Sequence, residues 1–305
     1  MKQNYWTYNK PLSLTGLGGG ATSLLFPSGP TIQPSFTAAE HFYDEGSNDY
    51  ADKTWNMNTQ DNSDPVNELW SDIPVVTTSG KRLFVIVASW RDTSANEDTW
   101  TEQFNDPLGD SLNYNLELKY NSATTTLTYR DVFAISQYNA TSIWTAIADG
   151  ASSSTDDYSI RFYVNDSNTH GNFAFSGIVI DNVNTIEYFN TASLGYSATS
   201  GQTVTSALNL APNNTTSATK VLRIAASNAS NIDADVIDYN KGSSEPSYTQ
   251  IGEGDNGTNE RHHHAYHFGD HGTQVNMTGT FGVSSGATYS ASAGISGLGA
   301  IIGLS

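Results

Sequence analysis

Apolar residues in this chain come in short blocks or strict alternation, and both patterns predict strands. Arg82-Leu-Phe-Val-Ile-Val-Ala-Ser-Trp90 is an unbroken run rich in β-branched residues. Such a run fits a central strand buried on both faces. Leu112, Tyr114, Leu116, Leu118 and Tyr120 alternate with polar residues, the two-residue period of a half-buried strand. Asn121-Ser-Ala-Thr124 then predicts a turn into a strand over 127–135. Further strands are predicted over 142–148, 158–165, 173–180, 184–189, 202–208 and 219–226. Clusters of Gly, Asn, Asp and Ser separate them. The stretch from Ala38 to Phe42 offers the one short helical turn between residues 36 and 72. Strands recurring at this spacing, with no helical pattern between them, predict an all-β fold. The expected form is an antiparallel β-sandwich, jelly-roll-like, with an extended N-terminal arm.

The arm is residues 1–35, where Gly16-Leu-Gly-Gly-Gly-Ala21 and prolines at 11, 27, 30 and 34 suit no helix. Its apolar residues Tyr5, Trp6, Leu24, Leu25 and Phe26 need a partner surface, either a neighbouring subunit or the chain's own body. Residues 36–305 are expected to form one large sandwich, with 261–305 as a His-rich strand and closing strands. The end of the chain, Gly297-Leu-Gly-Ala-Ile-Ile-Gly-Leu-Ser305, is small and apolar. Leu298, Ile301 and Ile302 therefore either close the sandwich or dock on a second copy.

Composition narrows the function. Only 14% of residues are charged, against 37% hydrophobic, and 16 are tyrosines. An average soluble domain carries about 25% charged residues. The polar surface must come from Ser, Thr, Asn and Gly. The net charge is −18, from 31 acidic and 13 basic residues. That charge repels phosphate backbones, so no nucleic-acid partner is expected. There are no cysteines, which excludes disulfides and thiolate metal sites. No stretch approaches about 18 apolar residues, so no membrane-spanning helix is expected. Met1 to Trp6 lacks an apolar core, so no ordinary signal peptide is expected either.

The sharpest chemical signal is Arg261-His-His-His-Ala-Tyr-His-Phe-Gly-Asp-His271, which holds five of the seven histidines. On a strand, His262, His264, Tyr266 and Phe268 share one face, and His263 and His267 share the other. His262 and His264 would then stand about 7 Å apart. Two neutral imidazoles are half of a tetrahedral zinc site, and His267, Asp270 and His271 offer a second set. The alternative is a metal-free, pH-sensitive polar strand at an interface, or simply an exposed loop. Acidic loops at 61–65, 92–98, 156–157, 165–168 and 253–256 carry the oxygens calcium needs, in no EF-hand order. Solvated turns explain them equally well. Glu97, Asp98 and Glu102 lie near Trp90 and Trp100, the ingredients of a polysaccharide hydrolase or lyase. No nucleophile elbow or P-loop is present. No catalytic residue is assigned.

The order of these features resembles β-sandwich and jelly-roll domains of bacterial surface proteins and phage virion structural proteins. The resemblance rests on four stretches. They are the apolar strand ending Ser89-Trp90-Arg91-Asp92, Phe175-Ser-Gly-Ile-Val-Ile-Asp-Asn-Val183, Gly201-Gln-Thr-Val-Thr-Ser206 and Lys220-Val-Leu-Arg-Ile-Ala-Ala226. The Gly-rich start is similar to that of phage structural proteins. The His-x-His pair resembles the iron sites of trimeric phage tail fibres. The resemblance implies a non-enzymatic assembly protein on a virion surface: a capsid decoration, head-fibre or tail-appendage subunit. Its partners would be further copies of itself and other virion proteins. A glycan-binding or adhesive module on a cell surface is the alternative.

Overall fold

The computed structural model describes residues 29–32, 36–38, 53–56, 80–92, 114–120, 123–126, 128–136, 139–149, 158–164, 171–198, 205–214, 216–233, 237–255, 260–272, 275–283 and 288–305. Among them there is no helix. Eighteen strands are present: β1 (Thr31–Ile32), β2 (Phe36–Ala38), β3 (Lys53–Asn56), β4 (Lys81–Asp92), β5 (Tyr114–Tyr120), β6 (Ala123–Thr126), β7 (Thr128–Ser136), β8 (Asn139–Asp149), β9 (Tyr158–Val164), β10 (Gly171–Asp181), β11 (Ile186–Ala198), β12 (Thr205–Ala207), β13 (Lys220–Asp233), β14 (Ile237–Asn240), β15 (Thr249–Asp255), β16 (Glu260–Asp270), β17 (Thr280–Val283) and β18 (Thr288–Leu304).

The strands form four antiparallel sheets. The first runs β1-β10-β4-β8-β7, with β2 also pairing with β10, and the second runs β11-β18-β13-β16-β15. A third, β12-β17-β14, and a fourth, β3-β9-β5-β6, complete the set. The antiparallel sandwich predicted by the alternation is therefore observed. The arm residues Tyr5, Trp6, Leu24, Leu25 and Phe26 lie outside the described residues, as do 39–42 of the expected helical turn. Part of the expected arm is itself a strand: Thr31 and Ile32 pair with Asp181 and Ile180.

The main core lies between the first and second sheets. Leu83, Val85 and Val87 of β4 and Ile178 and Ile180 of β10 meet Leu222 and Ile224 of β13 and Leu298, Ala300, Ile302 and Leu304 of β18. Burying each such aliphatic side chain stabilises the fold by roughly 1.5–3 kcal/mol. The opposite face of β13 and β18 is also covered. Val221, Ala225 and Ile301 there pack with Leu208, Leu210, Tyr239, Met277 and Phe281 of the third sheet and its flanks. The second sheet is thus the middle of three layers.

The chain end explains itself in this setting. Even-numbered residues 298–304 fill the main core, whereas Gly297, Gly299 and Gly303 face the third layer. A Cβ on Gly299 would meet Leu208 at 2.6 Å, and one on Gly297 would meet Phe281 at 2.7 Å. Small residues on one side admit large neighbours, and large residues on the other fill the sandwich. Leu298, Ile301 and Ile302 are fully buried in the chain's own core. Of the two placements their composition allowed, they take the one within the chain itself.

β4 is buried on both faces, as its apolar run predicts. Its second face carries Arg82, Phe84, Ile86 and Ala88, all fully buried. Arg82 sits beside Asp181 in register. Its Nε donates to Oδ1 at 2.6 Å and its Nη2 to Oδ2 at 3.3 Å. This forked ion pair is inside the protein, and Asp181 gave no sign of it in the sequence.

Candidate functional site

β16 is a strand, as expected, and its register fixes the histidines. His262 and His264 lie opposite Asn228 and Ala226 of β13, on the face turned toward the first sheet. His263 lies opposite Ser227, on the other face. All three rings are buried, at 6%, 5% and 0% exposure for His262, His263 and His264. The rings of His262 and His264 are 5.3 Å apart, at 51° to each other.

Near this end of the sandwich the core changes character. Aliphatic side chains give way to Ser89, Thr141, Ser176, Asn228, Ser296, His262 and His264, all buried. A polar group removed from water must find a partner, and Ser89, Thr141, Ser176, Ser296 and His264 find one another across the sheets. The Oγ of Ser89 on β4 is 2.8 Å from His264 Nε2. The Oγ of Ser176 on β10 is 2.8 Å from His264 Nδ1. One ring nitrogen therefore donates and the other accepts a hydroxyl proton. Thr141 Oγ1 lies 3.5 Å from Ser89 Oγ and 2.9 Å from Ser296 Oγ. Ser296 in turn donates to the Asn228 carbonyl at 3.4 Å. The chain of contacts stitches β4, β8 and β10 of the first sheet to β13, β16 and β18 of the second.

β15 approaches this seam through Gly252. A Cβ there would run into Ser176 Oγ and come within 3.2 Å of His264 Nδ1. The glycine is what lets β15 lie against the histidine. Burial and the neighbouring His262 and His263 hold the His264 pKa well below the ordinary imidazole value. The ring is neutral at physiological pH.

A serine beside a histidine is the geometry of an activated nucleophile. Here Nδ1 meets a hydroxyl where a catalytic pair carries an orienting carboxylate. Ser89 and His264 are also only 2% and 0% exposed, so the hydroxyl faces the core.

Of the five residues proposed for metal, His262 and His264 stand side by side with rings 5.3 Å apart, and His267, Asp270 and His271 are each engaged elsewhere. His264 commits both ring nitrogens to serines. His267 Nδ1 donates to the Ser247 carbonyl at 3.1 Å, and partial burial lowers its pKa. Asp270 is exposed and pairs with Lys220, which lowers its pKa. His271 Nε2 donates to the Asn213 carbonyl at 3.1 Å, and its ring meets Tyr188 edge-on. The acidic stretch 253–256, read as a loop, begins as strand: Glu253 and Asp255 pair with His263 and Arg261. Glu97, Asp98, Glu102, Trp100 and most of the other acidic loops lie outside the described residues.

A second polar centre had no sequence signal. Glu245 is buried, and its carboxylate accepts from Tyr239 Oη (2.9 Å), Tyr248 Oη (2.9 Å), Gly242 N (2.9 Å) and Thr278 N (2.7 Å). Both phenols have pKa values pushed well above 10, mainly by burial and then by neighbouring charge. This carboxylate pins the turn after β14 to the segment entering β17.

Comparison with protein-family models, with curated proteins and with solved structures gave no match.

Proposed function

We propose that the chain is a structural subunit of a virus particle, of the phage kind, and acts by assembly on the particle's outside. One observation supports this above the others. The most reactive cluster in the structure, His264 with its serine partners Ser89 and Ser176, is sealed between two sheets and serves to hold them together. Chemistry that is walled off from solvent suits a mechanical part. The three stacked layers make a stiff body, and their polar seam tolerates only one sheet pairing. The net charge of −18 keeps such bodies soluble and away from packaged nucleic acid. Its partners in this reading are further copies of itself and other virion proteins.

The test is association. Purified protein is followed by light scattering as its concentration rises, and by co-sedimentation with particles from a lysate. Self-association or particle binding is the expected result. A chain that stays monomeric throughout and sediments with no particle refutes the reading.

A further inference from the structure

We propose that His264 is a pH-sensitive latch between the two main sheets, holding β16 to β4 and β10 as a neutral imidazole and weakening that hold when protonated. His264 is the side chain that touches Ser89 of one strand and Ser176 of another across the core, both at 2.8 Å. It is fully buried, and so are the groups around it.

Protonation would leave both hydrogen bonds possible in principle, because each serine oxygen can accept. The difficulty is the charge. From β4 the ring meets Ser89, from β10 Ser176, from β13 Ala226 in register, and from β15 Gly252. Thr141 of β8 and Ser296 of β18 stand behind Ser89. None of these carries a negative charge. The titratable neighbours on its own strand are His262 on the same face and His263 on the other, and either one, once charged, would repel a cation. Glu253 of β15 pairs in register with His263. Arg91 lies two positions past Ser89 and Glu260 four positions before His264, farther along their strands. Among the described residues, a buried imidazolium here has hydroxyls for company and no carboxylate against it, which is costly.

The sign follows from linkage. The unfolded chain takes up the proton near the ordinary imidazole value of about 6.5, whereas the folded ring resists it to lower pH. Stability from this group is fully present above about 6.5. It declines as pH falls below that value, until the folded ring itself titrates. Each proton so linked changes the folding constant about tenfold per pH unit. A body stable at neutral pH is thereby loosened in an acidic compartment.

The experiment compares urea unfolding of the whole chain and of His264→Gln, between pH 7.5 and pH 5. Gln keeps a donor and an acceptor for the two serines and cannot titrate there. The wild type should lose stability more steeply with acid, by about one further tenfold step per pH unit than the variant. Equal slopes would overturn the latch. If the variant does not fold, C2 hydrogen exchange at His264 is followed by mass spectrometry in the wild type across the same range. A titration midpoint well below 6.5 supports the latch, and one at or above 6.5 overturns it.

Discussion

The ring of Tyr188 on β11 occupies the space above Gly303 of β18 that any side chain at that position would fill. Tyr188 is itself buried, at 8% exposure, and belongs to the core between the second sheet and the third layer. One residue's missing side chain is the other's seat. Gly303→Ala therefore forces Tyr188 out or shifts β18, and overpacking of this kind costs about 1–3 kcal/mol. Gly272→Ala is the control, because nothing lies within 4 Å of a Cβ built there. Thermal melts of the two variants should separate clearly, with Gly272→Ala within about 0.5 kcal/mol of the wild type. A Gly303→Ala protein as stable as the control would mean that Tyr188 has another place to go.

The buried pair Arg82–Asp181 predicts a different signature. Asp181→Ala takes the carboxylate away from a buried guanidinium and should cost about 3–5 kcal/mol. Replacing both partners with apolar residues, Arg82→Met with Asp181→Leu, removes both charges. The double variant should be more stable than Asp181→Ala alone, by chemical denaturation. If the two losses simply add, the residues are not coupled through this contact.

These two sites show where the sequence was readable and where it was not. The run from Leu83 to Ala88 states its own burial, because apolar residues occupy both faces of the strand. The final strand could be expected from its small apolar residues. Which of its faces would meet which layer was hidden, since Leu208, Phe281 and Tyr188 come from distant segments. β14 and β15 escaped notice for a simpler reason. Thr249-Gln-Ile-Gly-Glu-Gly-Asp255 has neither alternation nor an apolar run, and an edge strand needs neither. The histidine strand and its two faces were legible from alternation alone. The partners of His264 were not, because Ser89 is 175 residues away and Ser176 is 88. In a chain so rich in serine, no single hydroxyl stands out.

Gly252→Ala tests the packing of β15 on the polar seam. Its Cβ would collide with the Ser176 hydroxyl, the one that meets His264 Nδ1. Displacing Ser176 costs the buried ring one of its two hydrogen bonds, and an unsatisfied buried group costs about 1–3 kcal/mol. Ser176→Ala should produce a similar loss without the collision. In the double variant, the alanine at 252 has room, so the combined loss should fall short of the sum. Denaturation of the three proteins checks this, and strict additivity would separate Gly252 from the seam.

Glu245 makes the strongest case for a centre that is structural and measurable by pH. Its two oxygens accept hydrogen bonds from four groups, the hydroxyls of Tyr239 and Tyr248 and the amides of Gly242 and Thr278. Glu245→Gln turns one acceptor into a donor facing donors. That should cost about 2–3 kcal/mol, at the upper end of the loss for a broken charged hydrogen bond. The phenols give an independent reading. Burial holds both pKa values well above 10, so neither ring ionises readily while the protein is folded. A raised folded value means the stability is fully present below about pH 10 and is lost as pH rises beyond it. Phenolate absorbance should therefore appear in two stages: the exposed tyrosines first, then these two and the buried Tyr188, together with the loss of tertiary structure. Tyr239→Phe and Tyr248→Phe should each remove one phenolate from the second stage and leave the first unchanged. If either substitution reduces the early stage instead, that phenol is open to solvent and does not belong to the Glu245 centre.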